Sequence, residues 1–337
     1  MSNPLVVLDA DVLGRRRTGD ETYVLNLLRE LPRFAEGLRL AAVTRRPELV
    51  PDGVEAIELA AGRQEVRMAW SLPRLLRRLR PAVAHFQHAL PLRCPSPSVV
   101  TVHDLSFERD PTLMSRWDRL MFRTQVPRAV RRARRVLAVS ERTRRDVIEL
   151  YGVGEAKVVV TPNGVDPAFA PGADGRRDYL LFVGAIQARK DPLAAVEAAA
   201  AVGLPLAVAG PVKDEALAAE LVRRGARMHG YVEKDELADL YRGAAAVVLP
   251  SRFEGFGLPV LEAMACGTPV VGTNEPALLE VADGAAVLVP REQLADGVRT
   301  ALAERDRLVA AGLERARLFT WSETARRTAD VYRELVQ

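Results

Sequence analysis

Two glutamates lie on either side of a glycine-containing loop in the second half of the chain. Glu254 opens the run Glu-Gly-Phe-Gly at 254–257, and Glu262 lies eight positions further on, in an apolar segment. Glycines let a backbone approach a ligand closely, and free N–H groups at a helix start bind anions. A carboxylate accepts two hydrogen bonds, so Glu262 can hold a ribose diol while Glu254 reaches hydroxyls beyond the phosphates. The pattern indicates a site for a phosphorylated, hydroxyl-rich ligand.

Two adjacent cations, Arg189 and Lys190, follow an apolar run that ends at Gly184. Fixed positive charges near a departing phosphate stabilise the transition state more than the ground state. Arginine offers a fork of donors to phosphate oxygens, whereas lysine offers a point charge. By itself such a pair is usually a solvated helix start, so its meaning depends on the elements around it.

Short apolar runs alternate with longer helical patterns, which is typical of parallel sheets built from βαβ units. In such sheets ligands bind beyond the carboxyl ends of the strands. Helices are predicted at 20–31, 68–79, 115–132 and 141–151. Strands are predicted at 5–9, 38–44, 82–86, 98–102, 135–140, 157–161, 179–183, 206–209, 227–229, 245–249, 268–271 and 286–289.

The loop at 254–257 is bounded by strong local signals. A strand should end at Pro250, and a helix should begin near Leu258 with Pro259 in its first turn, where a missing N–H costs nothing. Gly267 suits the position just after that helix, and Pro269 prevents continuation. The loop is therefore expected to join a strand directly to a short helix.

A chain of 337 residues can bury two separate cores. We predict an α/β protein with two doubly wound, Rossmann-like domains and a cleft between them. The first domain is expected to span 1–168 and the second 169–318, with the linker-like segment 170–175 near the junction.

Composition excludes several classes of protein. No apolar stretch reaches the roughly 18 to 20 residues that span a membrane, and the N-terminus does not read as a secretory signal. Two distant cysteines, Cys94 and Cys266, exclude a disulfide framework and favour a cytoplasmic protein. Asp9 and Asp11 look like an Asp-x-Asp metal motif, but they lie on the first strand without a third ligand. No metal is predicted.

The first half of the chain is strongly basic. Residues 1–160 contain 28 Lys and Arg against 19 Asp and Glu, whereas the whole chain is only +4. Segments 68–80 and 117–135 mix Trp and Leu with Arg. Three interpretations stay open for them: an anionic membrane surface, an acceptor groove, or ordinary amphipathic helices. Nucleic acid is not expected, because few aromatic residues accompany the arginines.

The segment 251–271 closely resembles the signature of glycosyltransferase family 4, whose two glutamates are separated by seven residues. The resemblance implies the GT-B architecture, a nucleotide-sugar donor, retention of anomeric configuration and no metal. It also implies that Glu262 binds the donor ribose and that Glu254 contacts the sugar. The backbone of the loop and the helix start would complete this contact: Gly255, Phe256, Gly257 and Leu258.

Further motifs match the family in order along the chain. The run Gly184 to Lys190 resembles its glycine and Arg-Lys element, although Asp191 stands where Asn is usual. His103 corresponds to a histidine placed against the donor sugar, and Tyr231 and Val232 to residues beside the nucleotide base. Thr18 and Gly19 match the loop that closes over the diphosphate. The closing segment 319–337 resembles a helix that returns to the first domain.

Asp20 and Glu21 depart from the family pattern in that loop, where relatives often have Gly, Ile or Arg. Two carboxylates would repel a diphosphate, so we expect them to point toward the acceptor.

The resemblance therefore predicts a retaining hexosyltransferase that uses a donor of the GDP-mannose or UDP-glucose type and no cofactor. Its acceptor would be a glycan, a lipid-linked sugar or a natural product, anionic in character or carried at a membrane. The predicted catalytic residues are His103, Arg189, Lys190 and Glu254. Two alternatives stay open: another GT-B sugar enzyme, either a nucleotide-sugar epimerase or a phosphorylase, and a catalytically silent binding partner.

Overall fold

The computed structural model describes residues 3–15, 18–60, 62–110, 116–172 and 177–337. Its contacts divide the chain into two compact units. Unit 1 is formed by Met1–Asn163 with Trp321–Gln337, and unit 2 by Gly164–Thr320. Part of the predicted linker, residues 173–175, and the predicted helix start at residue 115 lie outside the described residues.

Unit 1 is built on a parallel sheet with the order β3-β2-β1-β4-β5-β6-β7. Its central strands are almost entirely buried and rich in Val, Ala and Leu, as expected where helices cover both faces of a sheet. The strand β3 was not predicted, because an exposed edge strand of sequence Glu-Ala-Ile-Glu carries no apolar run. The strands are β1 (Leu5–Asp9), β2 (Arg39–Thr44), β3 (Glu55–Glu58), β4 (Val83–Gln87), β5 (Ser98–Val102), β6 (Arg135–Ala138) and β7 (Val158–Val160).

The helices that connect these strands follow local signals in most places. The last of them begins after Ser140, whose hydroxyl accepts a hydrogen bond from the Thr143 N–H, and ends at Gly152 with φ +63°. The prediction of a single helix over 68–79 was wrong in one respect, because a π-helical turn, Arg67–Ser71, precedes the α-helical part. The helices are α1 (Thr18–Glu30), α2 (Gln64–Val66), α3 (Leu72–Leu79), α4 (Ser106–Arg109), α5 (Arg116–Arg132) and α6 (Glu141–Tyr151).

Unit 2 has a second parallel sheet with the order β10-β9-β8-β11-β12-β13. The direction of winding reverses between β8 and β11, which is where ligands bind in open α/β sheets. The strands are β8 (Leu180–Val183), β9 (Leu206–Ala209), β10 (Arg227–Gly230), β11 (Ala246–Leu249), β12 (Val270–Thr273) and β13 (Val287–Val289). The helices are α7 (Pro192–Val202), α8 (Glu215–Arg223), α9 (Lys234–Gly243), α10 (Leu258–Ala265), α11 (Pro276–Ala282), α12 (Leu294–Ala303) and α13 (Arg305–Ala316).

The last helix, α14 (Trp321–Val336), belongs to unit 1 although it follows unit 2 in the chain. Its buried face includes Trp321 and Tyr332, and the Tyr332 hydroxyl lies 2.6 Å from Nδ1 of the buried His85 on β4. The end of the chain thus completes the core of the first unit. No helix in the described part of the chain is both long enough and apolar enough to cross a bilayer.

Candidate functional site

The junction of β11 and α10 has the local structure that the sequence predicted. The helix begins at Leu258 with Pro259 in its first turn, and Gly257 before it has φ +112°. A Cβ atom on Gly257 would lie 2.9 Å from Leu278 Cδ2, so only glycine fits without a shift. After the helix Gly267 has φ +72°, as a glycine cap requires. The loop backbone is therefore set at the helix start by local chemistry.

Glu254 and the two predicted cations lie together at the carboxyl ends of β8 and β11, which are neighbouring strands. Lys190 Nζ donates to Glu254 Oε1 at 2.5 Å, and Arg189 Nη1 lies 3.6 Å from Glu254 Oε2. Burial by itself would raise the pKa of Glu254, but the charges of Lys190 and Arg189 outweigh it and lower this pKa. The carboxylate is therefore ionised at neutral pH.

Arg189 also supports the loop itself. Its Nη1 donates to the carbonyl oxygen of Phe253 at 2.7 Å, and its own carbonyl accepts from the Arg252 N–H at 2.9 Å. The β8 and β11 loops are thus joined by backbone contacts as well as by charge. We infer that Arg189, Lys190 and Glu254 form one ion-paired cluster.

Asp191, which stands where Asn is usual in the family, has a structural explanation. Asp191 has φ +46° and ψ +50°, a left-handed conformation that Asn and Asp tolerate better than most residues. Its buried carboxylate accepts from Arg291 Nε at 2.6 Å and lies 3.6 Å from Arg252 Nε. Arg291 was not predicted as a partner, because no local sequence signal links residues 100 positions apart.

Glu262 projects from α10 and has a partner that the sequence analysis missed. The buried Tyr241 on α9 donates its hydroxyl hydrogen to Glu262 Oε2 at 2.8 Å. Burial raises the pKa of Glu262 to about 7, although the Tyr241 hydrogen bond acts in the opposite direction. The charge of Asp166, which is ion-paired with Lys234, also raises this pKa. Glu262 thus changes its charge in the neutral pH range.

Other predicted donor-binding residues lie at the same edge of the second sheet. Gly184 follows β8, and Tyr231 and Val232 follow β10, with 45% of Tyr231 exposed. Gly210, which the sequence analysis missed, follows β9; a Cβ atom there would lie 2.1 Å from Gly184 O. The Phe256 ring is buried against Phe319 at 5.8 Å between centroids, so at this position the backbone is the group available to a ligand.

In unit 1, His103 follows β5 directly. Its Nε2 donates to Gln87 Oε1 at 2.8 Å, and its ring packs edge-on against Tyr23 at 4.8 Å. Burial lowers the pKa of His103 to about 4, partly opposed by the negative charge of Asp20. His103 is therefore neutral at pH 7, and with Nε2 protonated its Nδ1 can accept a hydrogen bond.

Asp20 and His88 lie beside His103. Within the described residues these three form the one group of potential metal ligands, with ligand atoms within 4.8 Å of one another. Adjacent ligands of a tetrahedral zinc ion are closer, at roughly 3.3 Å for bonds of about 2.0 Å, so the side chains would have to close in to hold one.

The remaining predicted residues of unit 1 lie between the end of β1 and the first turn of α1. Thr18 is the first residue of α1, and its side chain lies outside the described part of the structure. Gly19 has open space around it, because a Cβ atom added there would meet nothing within 4 Å. Glu21 Oε1 accepts from the Gly14 N–H at 2.7 Å, so it closes the loop. Asp9 and Asp11 at the end of β1 are ion-paired with the buried Arg67.

Comparison with known protein families gives two matches that together cover most of the chain. The family described as Glycosyl transferases group 1 matches residues 168–317. Glycosyltransferase Family 4 matches residues 17–169. The two matches meet close to the division between the two units.

Individual proteins agree with these families. A D-inositol 3-phosphate glycosyltransferase of Kineococcus radiotolerans is 38% identical in an alignment of 255 residues that covers 62% of this chain and 59% of that protein. The match thus spans less than two thirds of that relative. O-antigen chain mannosyltransferase B of Escherichia coli is 29% identical over 331 residues, covering 88% of this chain and 83% of its own length.

A solved structure shows the same fold. The Anabaena protein HepE, crystallised with UDP and glucose, superposes with a TM-score of 0.74 at 15% identity, over 98% of this chain and 99% of that one. The prediction of an α/β, two-domain GT-B fold is confirmed.

Proposed function

This chain belongs to the GT-B glycosyltransferases of family 4, and we propose that it transfers a hexosyl unit from a nucleoside diphosphate sugar to an acceptor hydroxyl. The single observation that carries the proposal is the grouping of Arg189, Lys190 and Glu254 beside the glycine loop before α10. Positive side chains and backbone N–H groups at one sheet edge suit a diphosphate. Glu262 on the same helix suits the ribose diol.

In the proposed reaction the bond between the anomeric carbon and the β-phosphate oxygen breaks, and the acceptor oxygen forms the new bond on the same face. The proton of the acceptor hydroxyl passes to the departing diphosphate. Arg189 and Lys190 stabilise the charge that develops on that diphosphate. Glu254 holds the two cations in position through the contacts described above. Configuration is retained, and no metal takes part.

His103 has a separate role in this proposal. Because its ring is neutral and its Nε2–H is engaged by Gln87, its Nδ1 can accept a hydrogen bond from a hydroxyl of the transferred sugar. Thr18 and Gly19, at the first turn of α1, would contribute backbone N–H groups to the diphosphate. Tyr231 would flank the nucleotide base.

The donor is proposed to be of the GDP-mannose or UDP-glucose type. The Escherichia coli relative is named a mannosyltransferase, and the Anabaena structure holds UDP and glucose. The acceptor is proposed to be a glycan, a lipid-linked sugar or a natural product.

A panel of nucleotide sugars tests the proposal directly. Each donor is incubated with the protein and with water as acceptor, and nucleoside diphosphate release is followed with and without EDTA. We expect release from one donor class and the same rate in EDTA. Early proton NMR spectra of the released sugar should show the anomer that the donor carried.

Four results would contradict parts of this proposal. Release that stops in EDTA would refute metal independence, and an inverted product would refute retention. A protein that binds UDP and GDP but never releases product from any donor, with or without added glycans, would be a binding partner. Turnover that requires inorganic phosphate would identify a phosphorylase.

A further inference from the structure

One face of unit 1 carries exposed apolar side chains next to arginines. We call it the Trp70 face and define it by Val66, Trp70 and Leu92 together with Arg74, Arg77 and Arg78. The exposed fraction is 49% for Val66, 76% for Trp70 and 58% for Leu92, which is high for large apolar residues. A soluble protein seldom exposes several such side chains side by side without a partner.

Except for Leu92, the residues of the Trp70 face lie along one helical stripe. Val66 ends α2, Trp70 lies in the π-helical turn, and Arg74, Arg77 and Arg78 follow on α3 at positions four, seven and eight after the tryptophan. The opposite side of α3 carries buried leucines, including Leu72, Leu75 and Leu76. The exposed stripe is therefore outward-facing, and no part of it is needed for the core.

The turn that carries Trp70 is held in place by strong contacts. The guanidinium of Arg67 is fully buried and donates from Nη1 to Asp9 Oδ2 at 3.0 Å, at the carboxyl end of β1. Leu92 is fixed to the same turn, because its N–H donates to Met68 O at 2.9 Å and its own carbonyl accepts from Arg128 Nη2 at 2.6 Å. The apolar side chains are thus displayed by an ordered backbone.

The arginines of this face differ from those on other exposed helices of the protein. On α8, α13 and α14, exposed arginines pair with acids three residues away, as in Arg223–Glu220, Arg307–Glu304 and Arg326–Glu323. On α3 no acidic residue occurs three or four positions from Arg74, Arg77 or Arg78. The segment 62–93 contains seven arginines and one acidic residue, Glu65. An ordinary solvated helix would not need this charge bias.

We propose that the Trp70 face docks the protein on an anionic lipid bilayer, with the indole in the headgroup region and the arginines on lipid phosphates. Tryptophan beside basic residues is the combination that interfacial helices use, and each basic group near such a surface strengthens binding. Of the three interpretations that the sequence left open for this segment, the exposure of Trp70 and the charge bias favour the membrane. The inference goes beyond the proposed function and does not depend on it.

Vesicle sedimentation with the full chain tests the proposal. The vesicles contain either phosphatidylcholine alone or phosphatidylcholine with about a third phosphatidylglycerol, at about 0.1 M and 0.5 M NaCl. We expect binding to the anionic vesicles that weakens with salt. The triple substitution Arg74→Gln, Arg77→Gln and Arg78→Gln should weaken binding about 100-fold, at roughly fivefold per arginine. Trp70→Ala should weaken it about tenfold.

Matched controls distinguish binding by the Trp70 face from a general effect of losing positive charge or an exposed apolar side chain anywhere on the protein. The triple substitution Arg223→Gln, Arg299→Gln and Arg307→Gln removes the same charge from unit 2, and Leu318→Ala removes another large exposed apolar side chain, 67% exposed. Both should bind as the unchanged protein does. Trp70→Phe should keep binding while abolishing the vesicle-induced blue shift of tryptophan fluorescence.

The Tm of each variant checks that it is folded, and nucleotide-sugar hydrolysis without vesicles reports on the proposed function separately. The proposal is overturned if the protein does not bind anionic vesicles at low salt. It is also overturned if phosphatidylcholine alone binds equally well, or if the two triple variants lose binding to the same extent.

Discussion

At the scale of single residues, the ion pair of Lys190 and Glu254 joins two side chains that are 64 positions apart in the chain. Glu254 is 8% exposed, so its charge is stable only because two cations face it. The pair can serve two purposes: it keeps the lysine extended toward the glycine loop, and it fixes the loop to the β8 segment. Removal of either partner should therefore affect both geometry and charge.

Replacement of Lys190 by alanine tests the role of the cation in the proposed chemistry. We expect Lys190→Ala to lower kcat about 100- to 1000-fold, with a smaller change in donor KM, because the charge matters most when the diphosphate departs. Initial rates of nucleoside diphosphate release measure both constants. Arg307→Ala, which removes a surface arginine paired with Glu304, is the control. A rise in KM with kcat unchanged would argue against transition-state stabilisation.

Glu262→Gln tests the proposed ribose contact. A hydrogen bond to a charged acceptor contributes about 1.5–3 kcal/mol, so kcat/KM for the donor should fall roughly 10- to 150-fold. Calorimetric titration with the nucleoside diphosphate should show a similar loss of affinity. Glu292→Gln, an exposed position in the same unit, should change neither quantity. Unchanged nucleotide affinity in Glu262→Gln would place the ribose elsewhere.

The raised pKa of Glu262 predicts a pH dependence with a definite sign. The carboxyl group is charged above its pKa of about 7, and the charged form has the full set of acceptor lone pairs for a diol. Donor affinity should therefore be greatest above pH 7 and decline as the pH falls to 6. The measurement is KM for the donor across this range.

Tyr241→Phe makes that pH prediction specific to the residue. The Tyr241 hydroxyl lowers the pKa of Glu262, so its removal should move the inflection to higher pH. Tyr179→Phe is the control, because the Tyr179 hydroxyl donates to Leu240 O at 2.7 Å instead. An inflection that stays in place in Tyr241→Phe would assign the titration to another group.

At the scale of elements, the carboxyl ends of β8 and β9 approach each other unusually closely. Gly210 has φ +142°, and a Cβ atom there would overlap Gly184 O at 2.1 Å. Gly210 therefore cannot accept a side chain without movement of the backbone. Since Gly184 leads into the segment that carries Arg189 and Lys190, this close approach helps to place the cations.

Gly210→Ala should thus affect stability and turnover together. Overpacking against backbone and the unfavourable φ should cost about 2 kcal/mol or more, which lowers Tm by roughly 5 °C or more. Differential scanning fluorimetry measures this change. Gly154→Ala is the matched control, because φ is −65° there and no atom lies within 4 Å of the added Cβ. Equal Tm values for both variants would contradict the close approach.

At the scale of the whole molecule, the two units are interleaved in the chain, because α14 returns to unit 1 after unit 2 is complete. Its buried Trp321 packs against Tyr23 with 6.1 Å between ring centroids, and its Tyr332 hydroxyl forms a hydrogen bond with Nδ1 of the buried His85. Unit 1 therefore depends on residues at both ends of the chain. Unit 2 is one continuous segment.

A chain that ends at residue 320 tests this dependence. Without α14, unit 1 exposes its apolar face and leaves His85 without its tyrosine partner, so we expect unit 1 to unfold while unit 2 remains folded. Limited proteolysis with mass spectrometry should recover a resistant fragment near Gly164–Thr320. Arg326→Ala, which changes only the outer surface of α14, should leave the whole chain resistant to the protease. Equal resistance of the shortened chain would refute the expectation.

The sequence by itself determined the alternation of strands and helices, and the junction around α10 most clearly of all. Pro259, Gly257 and Gly267 act through backbone preferences that extend over only a few residues, so a single sequence displays them directly. The same is true of the central strands, whose apolar runs reflect burial on both faces. The edge strand β3 carried no such signal and was missed.

Only the tertiary structure decided which side chains meet. Tyr241 with Glu262, Asp191 with Arg291, and Lys190 with Glu254 each join segments far apart in the chain. These pairs depend on the order of strands in the sheets, and one sequence encodes that order only through the summed packing of the whole domain. Local preferences of turns and helices are short-range, whereas charge pairing and burial act between whichever elements the sheet makes neighbours.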